Sequence, residues 1–351
     1  MLLAVGCSPS ATSPTPSAAS ASPTQSAAAS ASASLPARLQ DSSAPLPAAA
    51  GAIVLFQLPS ETGLHAISFG AEVNGLIKGQ APQTTAGASW SQSPYGPPFL
   101  IGTIAYDRDG KELGTIPWSA TATKTWSTDG RFLCAAVPAS ATTGAQIRLE
   151  MAFVGQPAKV IASGFTTYVD NATYPVLACD QGADRAIVAV FGQGVSATRL
   201  YVIRVSNGAL IRSVDYAGVG GWVASSADGS MLAESVPPVA PATNWKTTIR
   251  SADTGAQLGS IDDLLVRGFS GDKTLVVGNT PSAAAVVDWK TGRKVWSATG
   301  SYGGYLPEPA GPRLAVGIGF VGGSDQRDVY LVGPNGFLTL LPERVRVSLH
   351  Y

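Results

Sequence analysis

Trp126-Ser127-Thr128-Asp129-Gly130-Arg131-Phe132-Leu133-Cys134-Ala135-Ala136 sets two apolar stretches on either side of a Ser-x-Asp-Gly turn. Asp and Gly are turn formers for different reasons. The Asp carboxylate accepts bonds from the next backbone N–H groups, and Gly takes the positive φ that closes a tight loop. Ser226-Ala227-Asp228-Gly229-Ser230-Met231-Leu232-Ala233 repeats the arrangement. Both stretches therefore read as β-hairpins.

Working outward, the same turn position recurs at Gln181-Gly182, Gly271-Asp272 and Ala310-Gly311. A second set of turns runs in phase with it: Glu61-Thr62-Gly63, Arg108-Asp109-Gly110, Val154-Gly155, Ser206-Asn207-Gly208, Asp253-Thr254-Gly255, Lys290-Thr291-Gly292 and Pro334-Asn335-Gly336. The glycines of this second set are 47, 45, 53, 47, 37 and 44 residues apart, and the five from Gly155 onward follow a partner turn by 21 to 26 residues. Between the turns lie short Val, Ile, Leu and Tyr-rich runs without a sustained helical period, which is an all-β pattern. Two hairpins in each period near 45 residues predict four strands per repeat, hence a seven-bladed β-propeller of four-stranded antiparallel blades over residues 51–351. The chain is expected to open on an outer hairpin, Ile53 to Ile67. The alternating segment Arg344-Val345-Arg346-Val347-Ser348-Leu349 is expected to add an inner strand to that first blade and close the ring.

The inner hairpins at Trp126–Leu133 and Ser226–Ala233 resemble those of WD-repeat propellers, and Val287-Asp288-Trp289-Lys290-Thr291-Gly292 resembles their outer hairpin. Continued through Arg293-Lys294-Val295-Trp296, the outer segment is also similar to the tryptophan-docking motif of quinoprotein propellers, with Val286 where that motif prefers Ala. The resemblance implies that Trp289 and Trp296 pack against a neighbouring blade.

Met1-Leu2-Leu3-Ala4-Val5-Gly6-Cys7 resembles the end of a bacterial lipoprotein signal, although no Lys or Arg precedes it and its apolar part is short. The resemblance implies an acylated Cys7 and an extracytoplasmic domain anchored to the cell membrane. Of residues 8–37, 28 are Ser, Ala, Pro or Thr. Such a stretch buries too little apolar surface to offset its ordering entropy, so residues 8–50 are expected to form a disordered tether.

Charge and composition exclude several functions. The 351 residues carry 23 basic and 23 acidic side chains and two histidines, His65 and His350. With zero net charge and no basic run, nucleic acid is not an expected partner, and the membrane is reached only through the lipid. Two histidines leave little for a Ser-His-Asp or His-ligated metal site. No catalytic set, metal or cofactor is expected. Asp107-Arg108-Asp109-Gly110 has the wrong spacing for a calcium loop, and Asp262-Asp263 are adjacent on a strand or loop instead of sharing a face.

The remaining candidates lie on the longer connections, where recognition residues concentrate: Tyr174, Asp215, Tyr216, Trp222, Trp245, Tyr302 and Tyr305. Aromatic side chains there suit contact with a protein or sugar, or else packing between blades. Cys134 and Cys179, beside inner hairpins of consecutive repeats, either pair or act as small buried apolar groups. The leading expectation is a monomeric binding or scaffold module for a cell-envelope protein or glycan. A quinoprotein-like dehydrogenase is one alternative. The other is a carbohydrate-active or lyase-type propeller enzyme, for which Tyr302, Tyr305 and Asp215 would have to converge.

Overall fold

The computed structural model describes Ala44, Pro45 and residues 51–349, except 60, 62, 78–89, 94–95, 120–121, 140–145, 167–172, 192–196, 217–220, 240–243, 320–325, 343 and 348. Cys7, the tether apart from Ala44 and Pro45, and the Gly79–Gly87 stretch fall outside the described residues; Pro45 forms a bridge to Leu76, so the expected tether is ordered at that point. The described residues form β-strands and no helix.

The strands are β1 Ile53–Gln57, β2 His65–Ser68 and β3 Asn74–Leu76, then β4 Trp90–Ser93, β5 Gly96–Ile101, β6 Ile104–Tyr106 and β7 Glu112–Thr115. Next come β8 Lys124–Trp126, β9 Phe132–Pro138, β10 Gln146–Phe153 and β11 Lys159–Thr166, followed by β12 Val176–Asp180, β13 Arg185–Phe191, β14 Ala197–Ile203 and β15 Leu210–Asp215. Two further groups are β16 Trp222–Ser225, β17 Met231–Val236, β18 Lys246–Ser251 and β19 Gln257–Asp262, and β20 Leu265–Phe269, β21 Leu275–Asn279, β22 Ala283–Asp288 and β23 Arg293–Thr299. The last are β24 Tyr302–Pro307, β25 Leu314–Ile318, β26 Gln326–Gly333, β27 Gly336–Leu340 and β28 Val345–Val347.

From β4 to β23 each consecutive set of four is a separate antiparallel sheet, giving five. The other eight strands form one sheet, in which β24-β25-β26-β27 meets β28-β1-β2-β3 through a short pairing of β26 with β28. The first strands of successive sheets touch in sequence, β8 with β12, β12 with β16, β16 with β20 and β20 with β24, so the sheets stand side by side about an axis. This is a β-propeller.

Strands inside each sheet are buried on both faces and read as apolar runs, such as β13 and β25, whereas the outermost strands β7, β15, β19 and β23 are exposed at half or more of their residues. In β1 the side chains of Ile53 and Leu55 pack toward Phe99 and Tyr106 of the next sheet, while Val54 and Phe56 pack on the other side with Val329, Leu331 and Val345. Successive strand residues point to opposite faces, so one five-residue strand serves two cores. The apolar interior is seven clusters, each shared by two neighbouring groups of four strands.

The carboxy-terminal strand joins the amino-terminal one as expected: Val347 and Arg346 of β28 lie opposite Phe56 and Gln57 of β1. The same pairing corrects the expected opening on an outer hairpin. With β28 in first place, β1 is the second strand of its group, so Gly63 lies in the second-to-third connection, and its φ is not left-handed. The repeat's outer turn is Phe69-Gly70-Ala71-Glu72, where Ala71 takes φ 62° and its N–H donates to Ser68 O at 2.9 Å. At the other six outer turns, Gly110, Gly155, Gly208, Gly255, Gly292 and Gly336 all have φ between 72° and 118°, as the pattern predicts.

Cys134 of β9 and Cys179 of β12 form a disulfide between adjacent sheets, and both are fully buried. It closes a loop with a sequence separation of 45, a length for which unfolded-state entropy is restricted by about 4 kcal/mol. Replacing both cysteines by Ala should lower stability by about 2–4 kcal/mol and should abolish the effect of reductant on the thermal midpoint. Thermal melts with and without a reducing agent measure both.

Candidate functional site: the central channel and its two ends

Alternating strand direction fixes which loops share a rim. Connections between first and second and between third and fourth strands leave at one end of the propeller. Second-to-third and sheet-to-sheet connections leave at the other, the long-connection rim.

The tight-turn rim is built from a repeated polar clasp. In Ser127/Asp129, Ser226/Asp228 and Ser270/Asp272 the Ser hydroxyl donates to the Asp carboxylate at 2.7 Å. Each Asp accepts the backbone N–H two residues on, at 3.0–3.1 Å, from Arg131, Ser230 and Thr274. Each Ser Oγ accepts the N–H five residues on, at 3.0–3.2 Å, from Phe132, Met231 and Leu275. This is the local reason for the Ser-x-Asp spacing. The carboxylates then reach across to the next sheet: Lys273 Nζ donates to Asp228 at 2.7 Å, Arg185 Nε to Asp253 at 2.7 Å, and Thr128 to Asp180.

Below the channel, Asp180, Asp228, Lys273 and Glu308 line a cavity of about 230 Å³. Burial raises the Asp180 pKa, and the neighbouring carboxylates of Asp228 and Asp129 raise it further. Burial also pushes Asp228 upward, but the bonds from Lys273, Ser226 and Ser230 outweigh it and hold this carboxyl at about 2. Among the described residues no cluster of three or more His, Cys, Asp or Glu suits a metal ion.

The channel itself has a volume of about 290 Å³ and is walled by the inner strands. Lys124 of β8, Leu177 of β12, Trp222 of β16, Arg267 of β20, Tyr305 of β24 and Leu349 beyond β28 meet there. Arg267 is the residue that sequence reading missed. Its guanidinium carbon lies 4.0 Å from the centroid of the Trp222 ring, and its Nε donates to Asn279 Oδ1 at 3.1 Å. The available signal was a single cation inside the apolar run Leu264-Leu265-Val266-Arg267-Gly268-Phe269.

The predicted site residues do not form one cluster. Trp222 lies at the channel, packed on Phe191 at 5.2 Å, and its indole Nε1 is buried without a partner. Tyr302 and Tyr305 lie on the inner strand β24, not on a loop, because Tyr302 already pairs with Ile318. Tyr305 fills the space left by Gly268 of the adjacent sheet, where an added Cβ would sit 1.9 Å from its ring, and burial raises its pKa to about 12. Asp215 ends the outermost strand β15, half exposed, in an ion pair with Arg199. Tyr302, Tyr305 and Asp215 therefore do not converge, which removes the geometry that a Tyr-based lyase site required.

Tyr216 donates to Glu234 at 2.8 Å and Tyr174 packs against an intersheet core, so both serve structure. Trp245 is half-buried on the long-connection rim, beside half-buried Pro237 and exposed Val239, Asp262 and Asp263. Asp263 takes φ 65° and leaves the strand, so the two carboxylates share no face. Asp107-Arg108-Asp109-Gly110 is a turn in which Asp107 accepts the N–H groups of Asp109 and Lys111. Trp289 lies over Gly259 of the preceding sheet and donates to Lys273 O at 2.7 Å, and Trp296 stacks on Tyr330 of the following one, so both are structural as the docking resemblance implies.

No protein-family model matches the sequence, and no curated protein matches it. The fold is similar to a chain in the crystal structure of the mitotic checkpoint complex, with 11% identity and a TM-score of 0.46 over 75% of this chain and 83% of that one. It is also similar to TolB from Acinetobacter baumannii, with 11% identity and a TM-score of 0.42 over 84% of this chain and 66% of that one.

Asp228 gives the turn rim a pH signature. Its folded pKa of about 2 lies below the unfolded value of about 3.9, so its contribution is complete above pH 4 and is lost as pH falls through 2. Asp228→Asn should cost about 1–3 kcal/mol at pH 7, with the difference from the parent shrinking toward zero near pH 2. Denaturant titrations across pH 2–7 measure it.

Proposed function

We propose that the chain is a partner-binding module, a seven-bladed propeller tethered outside the cytoplasm by lipidated Cys7, and that it engages its partner through the long-connection rim. The blade number follows from counting the eight-stranded sheet as two blades that share the β26–β28 contact. The observation that carries the binding reading is the polar lining of the channel mouth: among the described residues Arg267 has no ion-pair partner, and the Trp222 Nε1 and Tyr302 Oη atoms are buried without partners. Groups left unsatisfied in a folded protein call for an acceptor from outside the chain, water or ligand.

The Cys134–Cys179 disulfide supports an oxidising compartment, where such bonds persist. The Ser, Ala, Pro and Thr-rich stretch after Cys7 supports a tether between anchor and domain. The partner suited to this rim is a protein or glycan of the cell envelope.

Two measurements test the reading. Cys7→Ser should move the protein from the membrane to the soluble fraction, and unchanged membrane retention would sink the anchor. A photo-crosslinking residue at Val239, 77% exposed on the long-connection rim, should trap an envelope species in intact cells. The same residue at Leu210, 51% exposed on an outermost strand, should not. Equal trapping at both positions, or none at either, would remove the long-connection rim as the interface.

A further inference from the structure

The mouth of the channel contains donors and, among the described residues, no carboxylate to receive them. Arg267 lines both the channel and a second cavity of about 500 Å³, walled by Asn279, Thr280, Ser282, Ser301 and Tyr302. Its position is fixed from two sides. Trp222 lies against the guanidinium face, and Asn279 Oδ1 takes the Nε–H, which leaves the two terminal nitrogens. The one titratable group among the described residues that acts on Arg267 is Tyr302. An arginine stays charged even where burial works against it, so this is a largely desolvated positive charge.

On the channel side stands Trp222 and on the side of the second cavity Tyr302, whose Nε1–H and O–H are buried without partners among the described residues. Leaving one such group unpaired costs about 1–3 kcal/mol. Burial drives the Tyr302 pKa well above its ordinary value, so the hydroxyl remains a donor at every physiological pH. On its far side runs Arg327, whose Cδ would lie 2.8 Å from a Cβ placed on Gly303. That glycine makes room for a second guanidinium side chain and so raises the positive potential at Tyr302.

A cation would be repelled by Arg267, whereas an anion with more than one acceptor oxygen answers its two terminal nitrogens. We infer that Arg267, shared by the channel at Trp222 and the second cavity at Tyr302, anchors a carboxylate-binding site. The inference rests on the partner-binding reading and names the chemistry that the partner presents. The two oxygens of a carboxylate match the terminal edge of a guanidinium, and the charge-assisted bonds they form are about twice as strong as neutral ones. A free carboxylic acid and the carboxylate end of a peptide share this chemistry.

The test follows the indole N–H resonances of the full chain, carried as Cys7→Ser in solution, with Trp222→Phe identifying the relevant signal. Sodium acetate, an acetylated dipeptide with a free carboxylate and sodium phosphate are titrated against sodium chloride at equal ionic strength. The expected result is a saturable shift of the Trp222 signal with acetate and with the dipeptide, but not with chloride. Dipeptide binding at least tenfold tighter than acetate assigns the site to a peptide end, and similar affinities assign it to a free acid. Arg267→Gln should weaken binding at least tenfold. Tyr302→Phe removes a hydroxyl that has no partner, so it should leave the thermal midpoint unchanged or higher while weakening binding several-fold. A shift that does not saturate, one that survives Arg267→Gln, or phosphate binding more tightly than either carboxylate would overturn the assignment. None of these readouts depends on the crosslink at Val239, so the two ideas fail separately.

Discussion

A ring of sheets is held by its interfaces between sheets, because no single sheet here has a face of its own to hide. Each of the seven apolar clusters belongs half to one group of four strands and half to the next. The one between the two ends of the chain joins Leu306, Ala315, Val329 and Leu331 to Val54, Phe56 and Ile67. Without β28 beside β1, the hydrogen-bonding edge of β1 would be open and this cluster would lose Val345 and Val347. Every other intersheet core joins strands close in sequence, whereas this one closes a loop of nearly the whole domain. Its apolar contacts therefore offset the largest loop-closure entropy in the fold.

Apolar contact between sheets is not directional, and the polar clips supply the register. Gln92 gives the clearest case: its amide donates to Ile53 O at 2.7 Å and its carbonyl accepts Leu55 N–H at 2.6 Å, so one side chain of β4 satisfies two backbone groups of β1. Trp118 donates to Glu150 at 2.7 Å across the next interface, and Tyr201 donates to Thr166 O at 2.9 Å across the one after that. Further round, Arg185 meets Asp253 and Lys273 meets Asp228. These bonds are largely sheltered from solvent, where a mismatched pair costs more than a matched pair contributes. They fix how one sheet sits on the next.

The period was legible because turns obey local rules. Ser127, Asp129 and Gly130 do their work within six residues, so the sequence displays them together, and the same holds for Ser226 to Met231. The error at Gly63 has the opposite origin. Glu61-Thr62-Gly63 has turn composition, but its place in the repeat is decided by β28, nearly three hundred residues away. Ala71, which holds the true outer turn, has no turn preference in sequence, and its left-handed φ is imposed by the β2–β3 pairing around it. The candidate site was legible only in part for the same reason. Trp222 opens β16 directly after the loop that suggested it, whereas Tyr302 and Tyr305 sit beside Gly303 and Gly304, which read as a loop and are strand.

Arg267 shows how the fold turns a cost into a site. The inner strands converge, so a side chain pointing at the axis meets side chains from other blades instead of water, and the channel is otherwise walled largely by Trp222, Val223, Leu177, Tyr305 and Leu349. An arginine placed there loses hydration without gaining a carboxylate among the described residues. The repeat supplies carboxylates freely at the turn rim, where Asp228, Asp180 and Glu308 gather a few residues farther down the same inner strands. Paired carboxylates thus line the turn end of the channel, and a guanidinium without a carboxylate partner among the described residues lines the other. An arginine there favours stability less than an apolar residue such as Leu177 would, and an acceptor that arrives from outside offsets that cost.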